Sequence, residues 1–189
     1  MAFSGSSNPF LLITPENADF NQYWYSEKTL AALADEISAQ GLTKVACVAC
    51  PSLFFTLKEK YPEIYKGSCL LDIDRQWESE TGYVYYDYRA PLSIPEQFSH
   101  KCDCVVIDPP FITLEAWRLF ADAGKALGNE ETKFICSTIA ENVEMMKTLL
   151  SLSPAVFKPS IPNLIYQYNF YTNFQPKILS QKNPEIVED

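Results

Sequence analysis

The sequence contains little glycine, a single histidine and no long apolar run. Only 6 of its 189 residues are glycine, and none forms the G-x-G-x-x-G pattern of dinucleotide-binding proteins. His100, the single histidine, lies in a predicted loop and supports no Ser/His/Asp arrangement, and no P-loop is present. No apolar stretch approaches the roughly 18 residues of a membrane-spanning helix. Hydride transfer with NAD, P-loop nucleotide chemistry and membrane insertion are therefore not expected.

Positive charge is also scarce. The chain carries 15 Lys and Arg against 24 Asp and Glu, which gives a formal net charge of −9 at pH 7. A protein that grips nucleic acid phosphates normally presents an excess of basic residues, and that excess is missing here. The composition therefore favours a basic protein or a small molecule as partner. Nucleic acid would need a local basic patch.

The 6 cysteines lie mostly inside apolar runs of the kind that form buried strands. This placement indicates the reduced packing thiols of an intracellular protein rather than a secreted disulfide framework. The spacings Cys47-x-x-Cys50 and Cys102-x-Cys104 also occur in zinc sites, but their strand positions favour packing, so no metal site is expected. The first residues lack the basic segment of a signal peptide. We expect a cytoplasmic protein that acts as a monomer.

The two ends of the chain differ in composition from its centre. Residues 1–20 are rich in Ser, Asn and Pro, and we expect them to form a flexible lead-in. Residues 175–189 contain two prolines and end in acidic residues, and we expect a flexible acidic tail. Residues 21–174 between them are expected to form one domain.

Strand-like and helix-like segments alternate along that domain. Ser26 is a predicted N-cap of the first helix, and Pro51 opens the second. Strands that alternate with helices predict an α/β fold with a mostly parallel, doubly wound sheet. Residues 159–163, between the last two strands, are too few for a crossover helix, so an antiparallel C-terminal hairpin is expected. Strands are predicted over residues 44–49, 68–73, 82–86, 103–107, 133–137, 155–158 and 164–172, and later helices over 113–127 and 141–150.

Asp108-Pro109-Pro110-Phe111 directly follows the fourth predicted strand. Prolines donate no backbone hydrogen bond, and they fix a rigid turn whose carbonyls can accept. With the Asp108 carboxylate, those carbonyls can orient the protons of an amine beside the apolar ring of Phe111, as N-methyl transfer requires. The alternative is a plain turn that ends the strand. Because ligands bind at the carboxyl ends of parallel strands, we predict that Asp108, Pro109, Pro110 and Phe111 are catalytic.

Acidic residues also follow the second and third predicted strands. An acid after the second strand commonly accepts hydrogen bonds from ribose hydroxyls, and the period-two alternation places Asp72 and Asp74 on one face without deciding between them. After the third strand, Asp87 could accept from an adenine amine while Tyr88 covers the base. Solvated strand ends and core aromatic residues are the alternative interpretations.

Two further segments flank the expected site. The loop after the first strand, with Cys50, Pro51 and Ser52, lacks glycine, which suits a ligand without a pyrophosphate. An aromatic cluster that includes Trp24 and Ser26 precedes the first helix. It either holds the preceding segment on the domain, or forms a lid over the cofactor or a wall of the acceptor channel. We expect these five residues to bind the cofactor.

Five segments together resemble the elongation factor 1-alpha lysine methyltransferases, a family first labelled probable N6-adenine methyltransferases because of its DPP[FY] tetrapeptide. The tetrapeptide alone is shared with nucleic-acid amino-methyltransferases, whereas QYWYS and YYDY at these spacings are more specific. The absence of a glycine-rich first loop departs from methyltransferases at large. The five segments are QYWYS (22–26), CVACPS (47–52), LLDIDRQW (70–77), YYDYRAP (85–91) and VVIDPPF (105–111).

The resemblance implies a seven-stranded, Rossmann-like class I methyltransferase. It also implies that the cofactor is S-adenosyl-L-methionine and that the methyl acceptor is one lysine of elongation factor 1-alpha. Two alternatives remain open from the residues alone. The Asp-Pro-Pro-Phe turn equally suits an N6-adenine methyltransferase that acts on DNA or RNA, and the fold could serve as a non-catalytic binding module.

Overall fold

The computed structural model describes residues 6–187, which form a seven-stranded sheet covered by helices. The spatial order of the strands is β3-β2-β1-β4-β5-β7-β6. The strands are β1 (Val45–Val48), β2 (Cys69–Asp72), β3 (Tyr83–Tyr85), β4 (Cys104–Ile107), β5 (Lys133–Ile139), β6 (Ser153–Pro154) and β7 (Tyr168–Thr172). The helices are α1 (Pro9–Ile13), α2 (Glu27–Ala39), α3 (Pro51–Lys60), α4 (Pro62–Lys66), α5 (Leu114–Leu127) and α6 (Val143–Leu150), with 3₁₀ turns at Ala18–Phe20, Arg75–Trp77 and Ala140–Asn142.

The first five strands run parallel, as the alternation of strands and helices predicts. β1 pairs with both β2 and β4, so that Ala46 lies opposite Cys69 on one side and Val105 on the other. All residues of β1, β2 and β4 are buried, which explains why these strands are continuous apolar runs rather than alternating ones. The chain leaves β1 towards β2 and β3 and then returns to place β4 on the opposite side. The carboxyl ends of β1 and β4 therefore form the topological switch point of the sheet.

Helices cover both faces of the sheet. Leu33 of α2 and Leu53 of α3 pack with Cys47 of β1 on one face. Trp117 of α5 and Met146 of α6 occupy the other face. All cysteines are free thiols buried in these two cores, at Cys47, Cys50, Cys69, Cys102, Cys104 and Cys136. Among residues 6–187, no helix is long and apolar enough to cross a membrane.

The antiparallel C-terminal hairpin is confirmed, although its first strand lies earlier than predicted. β7 pairs antiparallel with β5 and with β6. The prediction of a strand over residues 155–158 is wrong, because β6 consists of Ser153–Pro154 only. Phe157 is 6% exposed and its ring lies 6.4 Å from that of Phe170. The apolar character of this segment therefore reflects core packing.

The described part of the expected flexible lead-in, residues 6–20, is packed on the domain. Asn8 caps α1 by accepting from the N–H groups of Phe10 and Leu11. Phe10 is 5% exposed, and its ring lies 5.2 Å from that of Trp24 and 5.4 Å from that of Phe55. A single aromatic residue anchors a segment whose composition is otherwise typical of a loop. The expectation of flexibility for this segment is thus corrected.

The expected flexible tail is also packed up to residue 187. The Glu36 carboxylate of α2, which is 0% exposed, accepts hydrogen bonds from the backbone N–H groups of Lys177, Ile178 and Leu179. Leu179 itself is fully buried. These bonds connect residues more than 140 positions apart in the chain, which a local sequence pattern cannot reveal. The folded unit therefore extends beyond the predicted limits of residues 21–174.

Candidate active site

A cavity of about 700 Å³ opens at the carboxyl ends of β1, β2 and β4. This volume lies within the range of roughly 300–1,000 Å³ that is usual for small-molecule sites. Its wall is formed by the loops that follow the first four strands and by the segment before α2. The cavity therefore lies at the switch point, where an open α/β sheet binds its ligand.

Asp108 forms part of this wall directly after β4. Its backbone N–H donates to the carbonyl of Val48, and its Oδ1 accepts a 2.8 Å hydrogen bond from the hydroxyl of Ser137 on β5. Burial raises the pKa of the Asp108 carboxyl to about 7, although the Ser137 hydrogen bond and the nearby Tyr25 hydroxyl act to lower it. Asp108 takes part in none of the ion pairs found between residues 6 and 187. Among the described residues, no ion pair therefore offsets the effect of burial on the pKa of this carboxyl.

The rest of the Asp-Pro-Pro-Phe turn also lines the cavity. The Asn21 side-chain amide donates a 3.0 Å hydrogen bond to the carbonyl of Pro110. Phe111 is 40% exposed, and its ring centre lies 5.0 Å from that of Tyr88. The ring of Phe120 on α5 also stacks with that of Tyr88, at 5.1 Å. The turn is thus held by a bond to the segment before α2 and by a row of three aromatic rings.

The structure separates the two acids that follow β2. Asp72 lines the cavity, and burial raises the pKa of its carboxyl to about 7. Asp74 does not line the cavity, because β2 ends at Asp72 and the strand alternation stops there. Asp74 instead caps the 3₁₀ turn that begins at Arg75, and its Oδ2 accepts from the amide of Gln22 at 2.9 Å. Of the two acids predicted for the ribose, Asp72 lines the cavity and Asp74 does not.

The loop after β1 contributes backbone and small side chains to the cavity. Ala49, Pro51 and Ser52 line it, whereas Cys50 is 1% exposed and faces the core. Ala49 has a φ of 54°, a left-handed conformation that glycine usually occupies. The chain thus builds the turn of a glycine-containing loop with alanine, and the predicted contact of Cys50 with the cofactor is not supported by its placement.

The aromatic cluster before α2 both holds the N-terminal segment on the domain and lines the cavity. Trp24 is at the cavity wall, its ring packs on Phe10, and its indole N–H donates to the carbonyl of Thr14. Ser26 does not line the cavity. Its hydroxyl caps α2 by accepting from the Thr29 N–H and also contacts the carboxylate of Glu185. The prediction of Ser26 as a cofactor contact is therefore corrected to a helix-capping position.

Asp87 and Tyr88 line the cavity after β3, as predicted from their position. The oxygens of Asp87 already accept from the guanidinium and backbone N–H of Arg89, and this hydrogen bonding lowers the pKa of the Asp87 carboxyl. Tyr88 contacts the rings of Phe111 and Phe120, so it forms part of an aromatic row at the cavity wall. Any contact of Asp87 with an adenine would therefore be made by a carboxylate that is already paired with Arg89.

Several cavity residues are not identifiable from the sequence. Tyr168 is a strand residue whose pKa is raised to about 12, first by burial and then by the charge of Asp108. The loop before β7 brings three apolar residues to the opening, and nothing in the local sequence marks them. The lining residues missed in this way include Ile161, Leu164, Tyr166 and Tyr168.

Among the described residues, no group of three or more His, Cys, Asp or Glu side chains could hold a metal ion. The donor set of the cavity instead suits an adenosine-containing ligand with a small charged tail. Asp72 can accept from a ribose, Tyr88 offers a ring for the base, and the narrow turn at Ala49 admits close approach of the backbone. With the Asp-Pro-Pro-Phe turn after β4, the fold and this site are those of a class I methyltransferase.

The chain belongs to the family described as "Probable N6-adenine methyltransferase", whose model matches residues 16–176. Among curated proteins, it is 30% identical over 167 residues to the human protein named EEF1A lysine methyltransferase 1. That alignment covers 86% of this chain and 77% of the human protein. The chicken protein of the same name is 32% identical over 165 residues, covering 84% and 76%. The chain spans 66% of the length of the bovine protein of that name. The resemblance inferred from the sequence is confirmed.

Solved structures support the fold. The branched-chain polyamine synthase of Thermus thermophilus superposes with a TM-score of 0.63 at 14% identity, covering 88% of this chain and 62% of that one. The 1,6-didemethyltoxoflavin-N1-methyltransferase of Burkholderia thailandensis, solved with bound S-adenosylhomocysteine, gives a TM-score of 0.53 at 12% identity, covering 78% of each chain. At these identities the likeness concerns the fold alone.

Proposed function

We propose that the chain transfers a methyl group from S-adenosylmethionine to the side-chain nitrogen of a lysine in elongation factor 1-alpha. The names of the curated relatives support both the protein-lysine acceptor and its identity. The family description, with its reference to N6-adenine, makes an adenine acceptor the competing candidate.

The observation that carries the choice of lysine is the charge of the cavity wall. Four acidic side chains line it, Asp19, Asp72, Asp87 and Asp108, against one basic side chain, Arg89, in the described part of the chain. Arg89 is already paired with Asp87. A site for DNA or RNA needs cations to meet the phosphates, and this wall offers none that is unpaired among the described residues. A lysine ammonium is instead attracted by those of its carboxyls that are ionised.

The opening of the cavity is apolar rather than basic. Phe20, Tyr23, Phe111, Ile112 and Tyr166 all line it and are 37–67% exposed. Exposed apolar groups around a site are typical of a surface that meets another protein, and flat rings also pack along the methylene stem of a lysine. This surface supports a protein acceptor that presents its lysine to the cavity.

Each lining residue has a proposed role in binding the two substrates. Asp72 holds the ribose, Tyr88 and the Asp87–Arg89 pair flank the base, and the Ala49–Ser52 loop holds the methionine end. When bound, S-adenosylmethionine supplies an electrophilic methyl group. Asp108 and the Pro109 carbonyl orient the lysine nitrogen so that its lone pair faces that methyl group.

The lysine must lose a proton before its nitrogen can attack, because a free lysine has a pKa of about 10.4. Asp108, with its pKa of about 7, is the proposed acceptor of that proton. Transfer between groups with these pKa values costs about 5 kcal/mol, and loss of water around the ammonium inside the cavity reduces the cost. The proton then leaves through the open cavity to solvent.

A labelled-methyl assay with a panel of acceptors tests this function. The purified chain is offered elongation factor 1-alpha, its lysine-to-arginine variants, and adenine-containing DNA and RNA, with labelled S-adenosylmethionine in each reaction. We expect label in the protein alone and its loss in one lysine variant. Label in nucleic acid without label in protein would establish the adenine acceptor. Binding of S-adenosylhomocysteine with no transfer to any acceptor would indicate a binding module.

A further inference from the structure

Two buried hydroxyl groups lie behind Asp108. Ser137 donates a 2.8 Å hydrogen bond to Asp108 Oδ1. Tyr25 is 1% exposed. Its hydroxyl lies close enough to Asp108 and Ser137 for both groups to affect its pKa, yet it has no hydrogen-bond partner of regular geometry. Asp108 lines the cavity, whereas Tyr25 and Ser137 do not. Both hydroxyls therefore lie in the packed interior next to the carboxyl rather than in the cavity wall.

We propose that Tyr25 and Ser137 are positioning residues that hold Asp108 as an oriented carboxylate, with its free lone pairs directed at the acceptor lysine. This inference rests on the proposed lysine methyl transfer. The buried Tyr25 hydroxyl is the main observation behind this proposal. A buried hydroxyl that lacks an acceptor lowers the stability of the fold. The Asp108 carboxyl within its reach accepts a stronger hydrogen bond when it is ionised than when it is neutral. Tyr25 therefore donates to Asp108 once the carboxyl ionises.

Among the groups of residues 6–187 that influence the pKa of Asp108, none is a cation. The charge of Asp108 is felt by Tyr25 before α2, Cys50 after β1, Cys136 on β5 and Tyr168 on β7. Burial raises the pKa of each of these four groups, so all four stay neutral through the neutral pH range. Hydroxyl donors are thus what favours the carboxylate over the neutral acid, and Ser137 and Tyr25 are the two that lower the Asp108 pKa.

Thermal unfolding of the cofactor-free protein tests the contact independently of activity. Wild type, Tyr25→Phe, Asp108→Asn and the double variant are compared at about pH 5 and about pH 8.5. We expect the loss in Tm caused by Tyr25→Phe to be larger at the higher pH, where Asp108 is ionised. In the Asp108→Asn background that pH-dependent part should vanish. An equal loss in both backgrounds at both pH values would overturn the role of Tyr25.

Matched controls separate the hydroxyl contact from general packing. Tyr171 is also fully buried, but its hydroxyl donates to the carbonyl of Ile139, so Tyr171→Phe should show no pH-dependent coupling with Asp108. Ser68 donates its hydroxyl to the carbonyl of Ile64, and Ser68→Ala is the corresponding control for Ser137→Ala. Coupling of the same size in these controls would assign the effect to packing.

The pH profile of methyl transfer provides the second measurement. Tyr25→Phe and Ser137→Ala should each lower kcat at neutral pH by about tenfold, with KM for the protein acceptor nearly unchanged. Because both substitutions raise the pKa of Asp108, raising the pH should restore much of the rate, and Ser137→Thr, which keeps a hydroxyl, should stay near wild type. A loss that is constant with pH would contradict the inference. If no acceptor is methylated at all, the thermal unfolding of the single and double variants still tests the contact between Tyr25 and Asp108.

Discussion

The side-chain amide of Asn21 donates a 3.0 Å hydrogen bond to the backbone carbonyl of Pro110. The neighbouring residue, Gln22, donates at 2.9 Å to Asp74 after β2. The segment before α2 thus bridges the loop proposed to orient the acceptor and the loop beside the proposed ribose site. It also occupies a carbonyl that the sequence alone suggested as an acceptor for the substrate amine, which leaves the Pro109 carbonyl and Asp108 for that role.

Removal of the Asn21 amide should impair the acceptor side of the site more than the cofactor side. We expect Asn21→Ala to lower kcat/KM for the protein acceptor by about tenfold, because the Asp-Pro-Pro-Phe turn loses a hydrogen bond that fixes its geometry. The affinity for S-adenosylhomocysteine, measured by calorimetry, should change by less than about threefold. Asn129→Ala, which removes an exposed amide that bonds to His100, is the control. Equal losses in both variants would refute the bridging role.

Asp72 and Asp74 should differ in their importance for cofactor binding. Asp72→Asn removes a charged acceptor for ribose hydroxyls and should weaken S-adenosylhomocysteine binding by about 10- to 100-fold. Asp74→Asn should have an effect of less than about fivefold, because Asp74 lies outside the cavity and serves the Arg75–Trp77 turn. Calorimetric titration of both variants checks this order. The reverse order would show that the ribose lies elsewhere.

Ala49 should accept glycine but not a larger residue. A β-branched side chain at a φ of 54° is strained by at least 1–2 kcal/mol and would also project into the cavity wall. We expect Ala49→Val to lower Tm and to weaken S-adenosylhomocysteine binding at least about tenfold. Ala49→Gly should bind within about threefold of wild type. Tight binding by the valine variant would exclude this loop from the cofactor site.

The stability of the cofactor-free protein should depend on pH through its buried acids. The pKa of Asp108 in the folded state, about 7, lies above the unfolded value of about 3.9. The stability that the protonated form contributes is complete below about pH 4 and is lost as the pH rises to about 7. The loss amounts to at most about 4 kcal/mol.

Asp108→Asn removes this titrating group, so comparison with wild type separates its contribution to stability from those of the other acids. At about pH 8 the variant should unfold at a higher denaturant concentration than wild type, and at about pH 4 the two should unfold alike. Asp72→Asn should behave in the same direction, since burial also raises the pKa of Asp72 to about 7. A variant less stable than wild type at about pH 8 would show that the carboxylate is favoured in the fold.

Features encoded in short stretches of sequence were predictable. The buried strands β1, β2 and β4 follow from continuous apolar runs, and Ser26 is the N-cap of α2 as its position indicates. The place of Asp108 at the end of β4 follows from the order of strands in a doubly wound sheet. Each of these depends on a local pattern and on a general rule of connection.

Features that depend on distant contacts were not predictable. The burial of Phe10 against Trp24 and the acceptance of three tail N–H groups by Glu36 involve residues brought together only by the fold. Asp74 was assigned to the same face as Asp72 because the end of β2 could not be located to the residue. Tyr25 and Ser137 belong to different segments of the chain, and their common position behind Asp108 appears only in three dimensions.

Asp108 is the residue proposed to orient a lysine of elongation factor 1-alpha for methylation. The most direct measurement is single-turnover methyl transfer by wild type and Asp108→Ala, with tandem mass spectrometry to locate the methylated lysine and calorimetry to measure S-adenosylhomocysteine binding. We expect wild type to methylate one lysine. Asp108→Ala should react some tens to a thousandfold more slowly, equivalent to about 2–4 kcal/mol, with cofactor affinity nearly unchanged. Near-native transfer by Asp108→Ala, or the absence of methyl-lysine with wild type, would contradict the claim.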